Sequence, residues 1–344
     1  MVRIVYAIGS QRVIHKENSM TLKRRDFLRI GAGAALIAPS AFWAARSAAA
    51  QPGKKRKILY FTRCQGFVHG PVGRPNANPK ELASSEKWMQ TMGDRYGFEV
   101  VCTKEGNVFD GDIDQYDAFV FYTSGDLTKP ITNTAKEPPS SPMTEQGKSR
   151  LLKAIEDGKG FLGIHSATDS FRTPKGQVDP YIAMLGGEFL SHGKQQEATM
   201  HFVSPKFPGL EGMKDFRLFE EWYSLVKIAK DLHVILVQET KGMEGWQYDR
   251  PPFPATWARA NGKGRVFYTS MGHSDPIFAN PTFEKVFIAG LHWVDGDTSF
   301  DPVPNVAEVC PGADQWPVQP AGTEKPKAAG KKVKGGEKKK AKKK

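Results

Sequence analysis

The sequence predicts an α/β protein with a parallel sheet covered on both faces. Two observations carry that reading. Through the first two-thirds of the chain, short apolar runs of buried-strand type alternate with segments whose large apolar residues recur at helical spacing. One of those runs, Gly160-Phe161-Leu162-Gly163-Ile164, stops at His165 and turns into small and polar residues suited to a helix start. The chain has 344 residues, 39% of them hydrophobic, enough for one large domain or two small ones.

The elements follow in order. Ile58–Thr62 reads as a buried strand, followed by a polar loop from Arg63 to Pro79 that carries His69. Residues 80–96 read as an amphipathic helix with Leu82, Trp88, Met89, Met92 and Tyr96 at helical spacing. Phe98–Thr103 is a second strand and Tyr116–Tyr122 a third, ending at Thr123-Ser124-Gly125-Asp126. Between them Asp110, Asp112, Asp114 and Asp117 lie close together. They lack the glycine and distal Glu of a calcium loop and read as a solvated turn. A Pro/Ser/Thr-rich loop, 127–142, leads to a helix from Thr144 to Asp157. After the strand ending at His165 come a short helix, 179–186, and a polar loop carrying His192. The pattern then turns richer in β, with strands expected at Ala198–Val203, Arg217–Leu225, His233–Glu239, Thr256–Ala260 and Gly264–Ser270. A helix from Thr282 to Val294 closes the α/β domain, 56–297. A Pro-rich extension runs over 298–320, and a Lys-rich tail over 321–344 reads as disordered.

Charge separates the ends from the body. The net charge is +12, but residues 1–50 carry eight basic and two acidic residues, and residues 321–344 carry eleven Lys and two Glu. The remainder holds 30 basic and 33 acidic residues. This mildly acidic body asks for neither a nucleic-acid nor a membrane partner.

The first 50 residues have the pattern of a twin-arginine export signal. Arg24-Arg25 precede Phe27-Leu28, an Ala/Gly-rich apolar run follows, and Ala48-Ala49-Ala50 offers a cleavage site. The run is shorter than the ~20 residues of a spanning helix, so no stable membrane anchor is expected. Met20 lies just before the motif and reads as the true start, with 1–19 upstream of it. The expected partner is the twin-arginine export machinery, and the expected compartment is the periplasm or its equivalent. Disulfides are permitted there. Of the three cysteines, Cys64 and Cys102 read as buried free thiols that could pair if the first two strands are neighbours.

In a parallel sheet of this kind, ligands gather at the carboxyl ends of the strands. His69 follows the first strand, Asp126 the third, His165 the fourth and His273 the last, so they should share one rim. Gly163-x-His165-x-Ala167 has the spacing of a nucleophile elbow, with histidine at the tip. Imidazole there can act as base, acid or metal ligand near neutral pH. His201, His233 and His292 fall inside strand or helix patterns and read as packing residues.

An ordered set of motifs resembles the ThuA-like, or trehalose-utilisation, family. It comprises Phe67-x-His69, Gly163-Ile164-His165-Ser166, Met184-Leu185-Gly186-Gly187-x-Phe189 with His192, and Glu220-Glu221-Trp222-Tyr223. Pro254-Ala255-x-Trp257 and Gly262-x-Gly264-Arg265-Val266-Phe267-Tyr268 running into Gly272-His273 complete it. The resemblance implies a flavodoxin-like three-layer sandwich with a mainly parallel central sheet, of the class I glutamine amidotransferase type. It departs from glutamine amidotransferases at the elbow, where His165 replaces the cysteine that a thioester mechanism needs.

What the resemblance suggests instead is an isomerase, lyase or hydrolase acting on 3-keto sugars or their glycosides. In that reading His165 and Glu221 are base and acid, and His69 polarises the carbonyl, alone or through a divalent metal (zinc or manganese) shared with His165. Asp126, His192, Tyr223, Trp257 and His273 would bind the substrate. Glu220 and Glu221 should point to opposite faces of one strand, with Glu221 in the site. The alternative is a non-catalytic periplasmic carbohydrate-binding protein using the same rim.

Overall fold

The computed structural model describes residues 55–75, 78, 80–131 and 137–322. The expected export signal, 1–50, and nearly all of the Lys-rich tail lie outside those residues.

Five strands form the parallel part of one sheet: β1 (Lys57–Phe61), β2 (Glu99–Thr103), β3 (Ala118–Phe121), β4 (Gly160–Ile164) and β11 (Gly264–Thr269). Four antiparallel strands extend it: β6 (Gln196–Phe202), β7 (Phe216–Glu220), β9 (His233–Gln238) and β10 (Phe253–Asn261). The order across the nine strands is β2-β1-β3-β4-β11-β10-β9-β6-β7. β5 (Glu188–His192) and β8 (Tyr223–Val226) pair separately. The helices are α1 (Ser84–Tyr96), α2 (Glu145–Glu156), α3 (Pro180–Leu185), α4 (Asp275–Phe278), α5 (Pro281–Val294) and α6 (Val306–Val309). Among the described residues, no helix is long and apolar enough to cross a membrane.

Strand alternation sorts the core into two layers. On β1, Ile58 and Tyr60 pack with Met89 and Met92 of α1 and Val286, Phe287 and Leu291 of α5. Leu59 and Phe61 face the other way, with Leu151 and Ile155 of α2 and Tyr181 and Ile182 of α3. Each such side chain contributes about 1.5–3 kcal/mol by leaving water. Helix starts follow local chemistry. Thr144 Oγ1 accepts from Gly147 N (2.8 Å), and Asn280 Oδ1 accepts from Thr282 N (2.8 Å).

The structure corrects several expectations. The strand expected over Arg217–Leu225 is two strands, β7 and β8, which belong to different sheets and part at Glu221-Trp222. The loop expected around His192 contains β5, which pairs with β8 once that break frees it. The helix expected from residue 80 begins at Ser84, where the Glu86 carboxylate accepts from Ala83 N (2.8 Å). Cys64 and Cys102 are free thiols although β1 and β2 are neighbours. Cys102 lies opposite Tyr60, Cys64 falls beyond the end of β1, and their sulfurs turn to different carbonyls. The Pro-rich extension packs on the domain. Asn305 pairs with both backbone groups of Val234, and Arg250 donates to Ala313 O (2.7 Å).

Candidate active site

The elbow at His165 is strained as its spacing suggests. His165 has φ +43°, in the left-handed region that costs a non-glycine residue about 1–3 kcal/mol. The chain can turn that tightly because Gly163 is small. A Cβ there would lie 3.1 Å from Ala167 Cβ and 3.2 Å from Leu185. Tyr268 Oη holds the His165 carbonyl at 2.8 Å. The imidazole, fully buried, has Nδ1 2.8 Å from Ser270 O. A carbonyl only accepts, so Nδ1 carries the hydrogen and Nε2 presents a lone pair. That Nε2 has no hydrogen-bond partner and lies 3.6 Å from Glu221 Oε2.

Glu221 stands at the break between β7 and β8, and the break itself brings its carboxylate to the histidines. Oε2 is 3.1 Å from His273 Nδ1 and 3.8 Å from His69 Nε2, while Oε1 is 3.3 Å from His192 Nδ1. Neighbouring Glu220 is buried and braces the backbone. Its Oε1 accepts from Gly272 N (2.6 Å) and His273 N (2.8 Å). Tyr122 Oη secures the same turn through Gly272 O (2.7 Å). His273 Nε2 faces the Gln195 side-chain amide at 2.8 Å. Tyr223 Oη is 3.3 Å from His69 Nε2, and its ring lies 4.1 Å from that of His165.

The electrostatics follow from this packing. Burial alone would raise the Glu221 carboxyl, but the surrounding imidazoles of His165, His273 and His69 outweigh it and hold the group well below the usual carboxylate range. Burial pushes His165 down to about 3 and lowers His69, so both imidazoles stay neutral. His273 is raised, because Glu221 overrides the effect of burial there. Burial pushes the Glu220 carboxyl up to about 7.

One donor atom each from His69, His165, Glu221 and His273 lie within 4.8 Å of one another. Two ligands about 2.1 Å from one ion stand roughly 3–4 Å apart, so small inward movements would let all four share a divalent cation.

The match to known proteins covers most of this fold. The ThuA family model, described as trehalose utilisation, matches residues 57–294. The chain belongs to the ThuA family. A ThuA-like protein from Bacteroides uniformis superposes with TM-score 0.52 at 18% identity, covering 72% of this chain and 94% of that one. A ThuA-like protein from Parabacteroides merdae gives 0.53 at 14% identity, covering 77% and 98%. At these identities the likeness speaks for the fold, the flavodoxin-like α/β sandwich of class I glutamine amidotransferases. No curated protein matches the sequence.

Within this ThuA domain, His69, His165, Glu221, His273, His192 and Tyr223 come together. Two of the expected substrate contacts do not join them. Trp257 is fully buried, donates Nε1 to Leu185 O (2.9 Å) and packs on Tyr268. Asp126 closes a local turn by accepting from Thr128 N (3.0 Å) and Oγ1 (2.6 Å). His201 is not a packing residue either, since it pairs with Asp215 at the surface (2.8 Å). Gln195 and the bracing role of Glu220 had no sequence signal beyond, for Glu220, its place beside Glu221.

Proposed function

We propose that this ThuA-family protein is an exported enzyme acting on 3-keto sugars or their glycosides by isomerisation, elimination or hydrolysis. We further propose that His69, His165, Glu221 and His273 hold a divalent metal ion, zinc or manganese. One observation carries the metal reading. His165 Nε2 is buried, unpartnered and aimed at a carboxylate that two more imidazoles also face. A buried polar atom without a partner costs about 1–3 kcal/mol, and a bound cation removes that cost. The Ser270 carbonyl is the outer partner that metal-binding histidines ordinarily have. The family's description supports the carbohydrate reading. The Arg24-Arg25 motif supports export.

A divalent ion in this place supplies Lewis-acid polarisation of a substrate oxygen. The proposal then gives His165 the part of a ligand rather than a base, because a neutral imidazole held near 3 accepts a proton poorly. His192 takes over proton transfer. It is 32% exposed, within reach of a bound ligand, and leans on Glu221 Oε1. Tyr223, whose hydroxyl touches His69, is placed to give a proton to an oxygen in the site.

The test is metal content by plasma mass spectrometry on the full chain, beside His165→Ala, with turnover of a panel of 3-keto glucosides. About one ion per chain, lost in the variant together with turnover, is the expected result. Wild-type protein without metal would sink the metal reading. Saturable sugar binding without product would leave a carbohydrate-binding protein instead.

A further inference from the structure

We infer that Asp169 and Arg172 form a subsite that grips a vicinal diol on a second sugar ring, next to the ring that meets the histidine cluster. This inference rests on the carbohydrate reading above and adds to it that the substrate has at least two rings.

The elbow leads directly to this pair. His165–Asp169 is a single 3-10 turn, so Asp169 stands one turn on from the cluster histidine. The chain is then clasped to the loop after β3. Gly125 N donates to Asp169 O (3.1 Å), and Phe171 N donates to Gly125 O (3.1 Å). Phe171 has φ +55°, rare for a bulky residue, and its ring packs inward against Tyr181. Asp169 and Arg172 stay at the surface on either side of it, 16% and 46% exposed.

The pair adjoins the wall of the cluster. The Arg172 guanidinium lies over the ring of Phe189 (5.1 Å). Phe189 packs on Tyr223 (4.1 Å) and nearly parallel to His192 (6.0 Å, 27°). Phe189 and His192 are three residues apart and would face opposite ways on a regular strand. A register shift between Phe189 and Ser191 brings both rings to one side. The Asp169 charge acts on Tyr223 and His192, which sets the carboxylate beside them. Burial raises that carboxyl to about 6, although Arg172 draws it down.

Both groups have hydrogen-bonding capacity left. Asp169 Oδ1 accepts from Arg172 Nη1 (3.1 Å). Among the described residues, Asp169 Oδ2 and Arg172 Nε and Nη2 have no hydrogen-bond partner. A carboxylate that accepts from one hydroxyl, beside a guanidinium that donates to the next, fits a vicinal diol. An anionic group fits poorly despite Arg172, because the charges of Asp169 and Glu221 both bear on Tyr223. A 3-keto pyranoside ring has no vicinal diol, since its carbonyl stands between the hydroxyls at C2 and C4. The diol therefore belongs to a further ring. Asp126, the carboxylate that sequence alone suggested for this task, is engaged in its own turn.

The experiment is calorimetric titration of two ligands: methyl 3-keto-β-glucoside, and cellobiose oxidised to the ketone at C3 of its non-reducing ring. Each is titrated into the full chain and into Asp169→Asn, Asp169→Ala and Arg172→Ala, with the melting temperature measured on every sample. The wild type should bind the disaccharide about tenfold more tightly than the methyl glycoside. In Asp169→Ala and Arg172→Ala that ratio should fall to about one. Asp169→Asn, which keeps an acceptor oxygen, should retain part of it. The ratio is taken within one protein, so a loss of folded material does not imitate the effect. A wild type that binds both ligands equally, or alanine variants that keep the wild-type ratio, overturns the subsite and leaves the carbohydrate reading standing. A wild type that binds neither ligand overturns the carbohydrate reading, and the subsite with it.

Discussion

His165 Nδ1 stands 2.8 Å from the carbonyl of Ser270, at the end of the adjacent strand. That single contact decides the proton's position on the ring and leaves Nε2 bare in the cluster. His273 has an outer partner too, the amide of Gln195, 2.8 Å from Nε2.

Gln195 therefore sets which His273 nitrogen would serve the proposed ion. The Gln195 amide nitrogen donates to Nε2, which leaves the hydrogen on Nδ1 towards Glu221; a half-turn of the amide puts its oxygen at Nε2–H and frees the Nδ1 lone pair for an ion. Gln195→Leu should weaken metal binding by about 10–100-fold, and Gln195→Glu should retain it. Competition against a chromophoric chelator measures the difference. Gln195 is exposed, so the melting temperature of the metal-free protein should not move.

Lys104 and Glu137 form a buried pair that ties a distant loop to the strand ends. Lys104 Nζ donates to both Glu137 oxygens (2.9 and 3.0 Å) and to Thr62 O (2.7 Å), and Cys64 N donates to Glu137 (3.1 Å). Glu137→Ala would strand the ammonium and should cost about 3–5 kcal/mol in urea unfolding. The double change Lys104→Met with Glu137→Leu should recover most of that loss.

Asp295 gives a stability change with pH. It caps the carboxyl end of α5, and burial pushes its carboxyl up to about 7. One oxygen accepts from Asp297 N (2.9 Å) and the other has no partner, which suits a protonated acid. A raised carboxyl stabilises the fold fully below its unfolded pKa near 4, and that contribution is lost as pH rises towards 7. The loss is at most about 4 kcal/mol. Asp295→Asn should raise the melting temperature more at pH 8 than at pH 4.5, read by calorimetry. An equal effect at both values would count against a titrating Asp295.

Much of this architecture was legible in the residues. Buried-strand runs followed by His69, His165 and His273 were visible because a parallel sheet delivers strand ends to one rim. The adjacent acids Glu220 and Glu221 were visible too, but their geometry was not. An unbroken apolar–polar run over Arg217–Leu225 reads as one strand, and only tertiary pairing splits it between two sheets. Trp257 shows the opposite failure. A large aromatic residue near a site motif looks like a sugar contact, yet its indole N–H already has a partner in the core. Gln195 sits in a polar turn, and nothing local distinguishes it from a solvated residue.

The four donor residues are scattered from the loop after β1 to the loop after β11. No contiguous half of the domain carries the set, so no early folding fragment can capture an ion with it. Loading of the proposed ion would thereby be tied to completion of the whole body, and its binding energy would add to global rather than local stability. Were the chain exported already folded, as proposed, the identity of the ion would be settled by the supply where folding ends, before the journey begins.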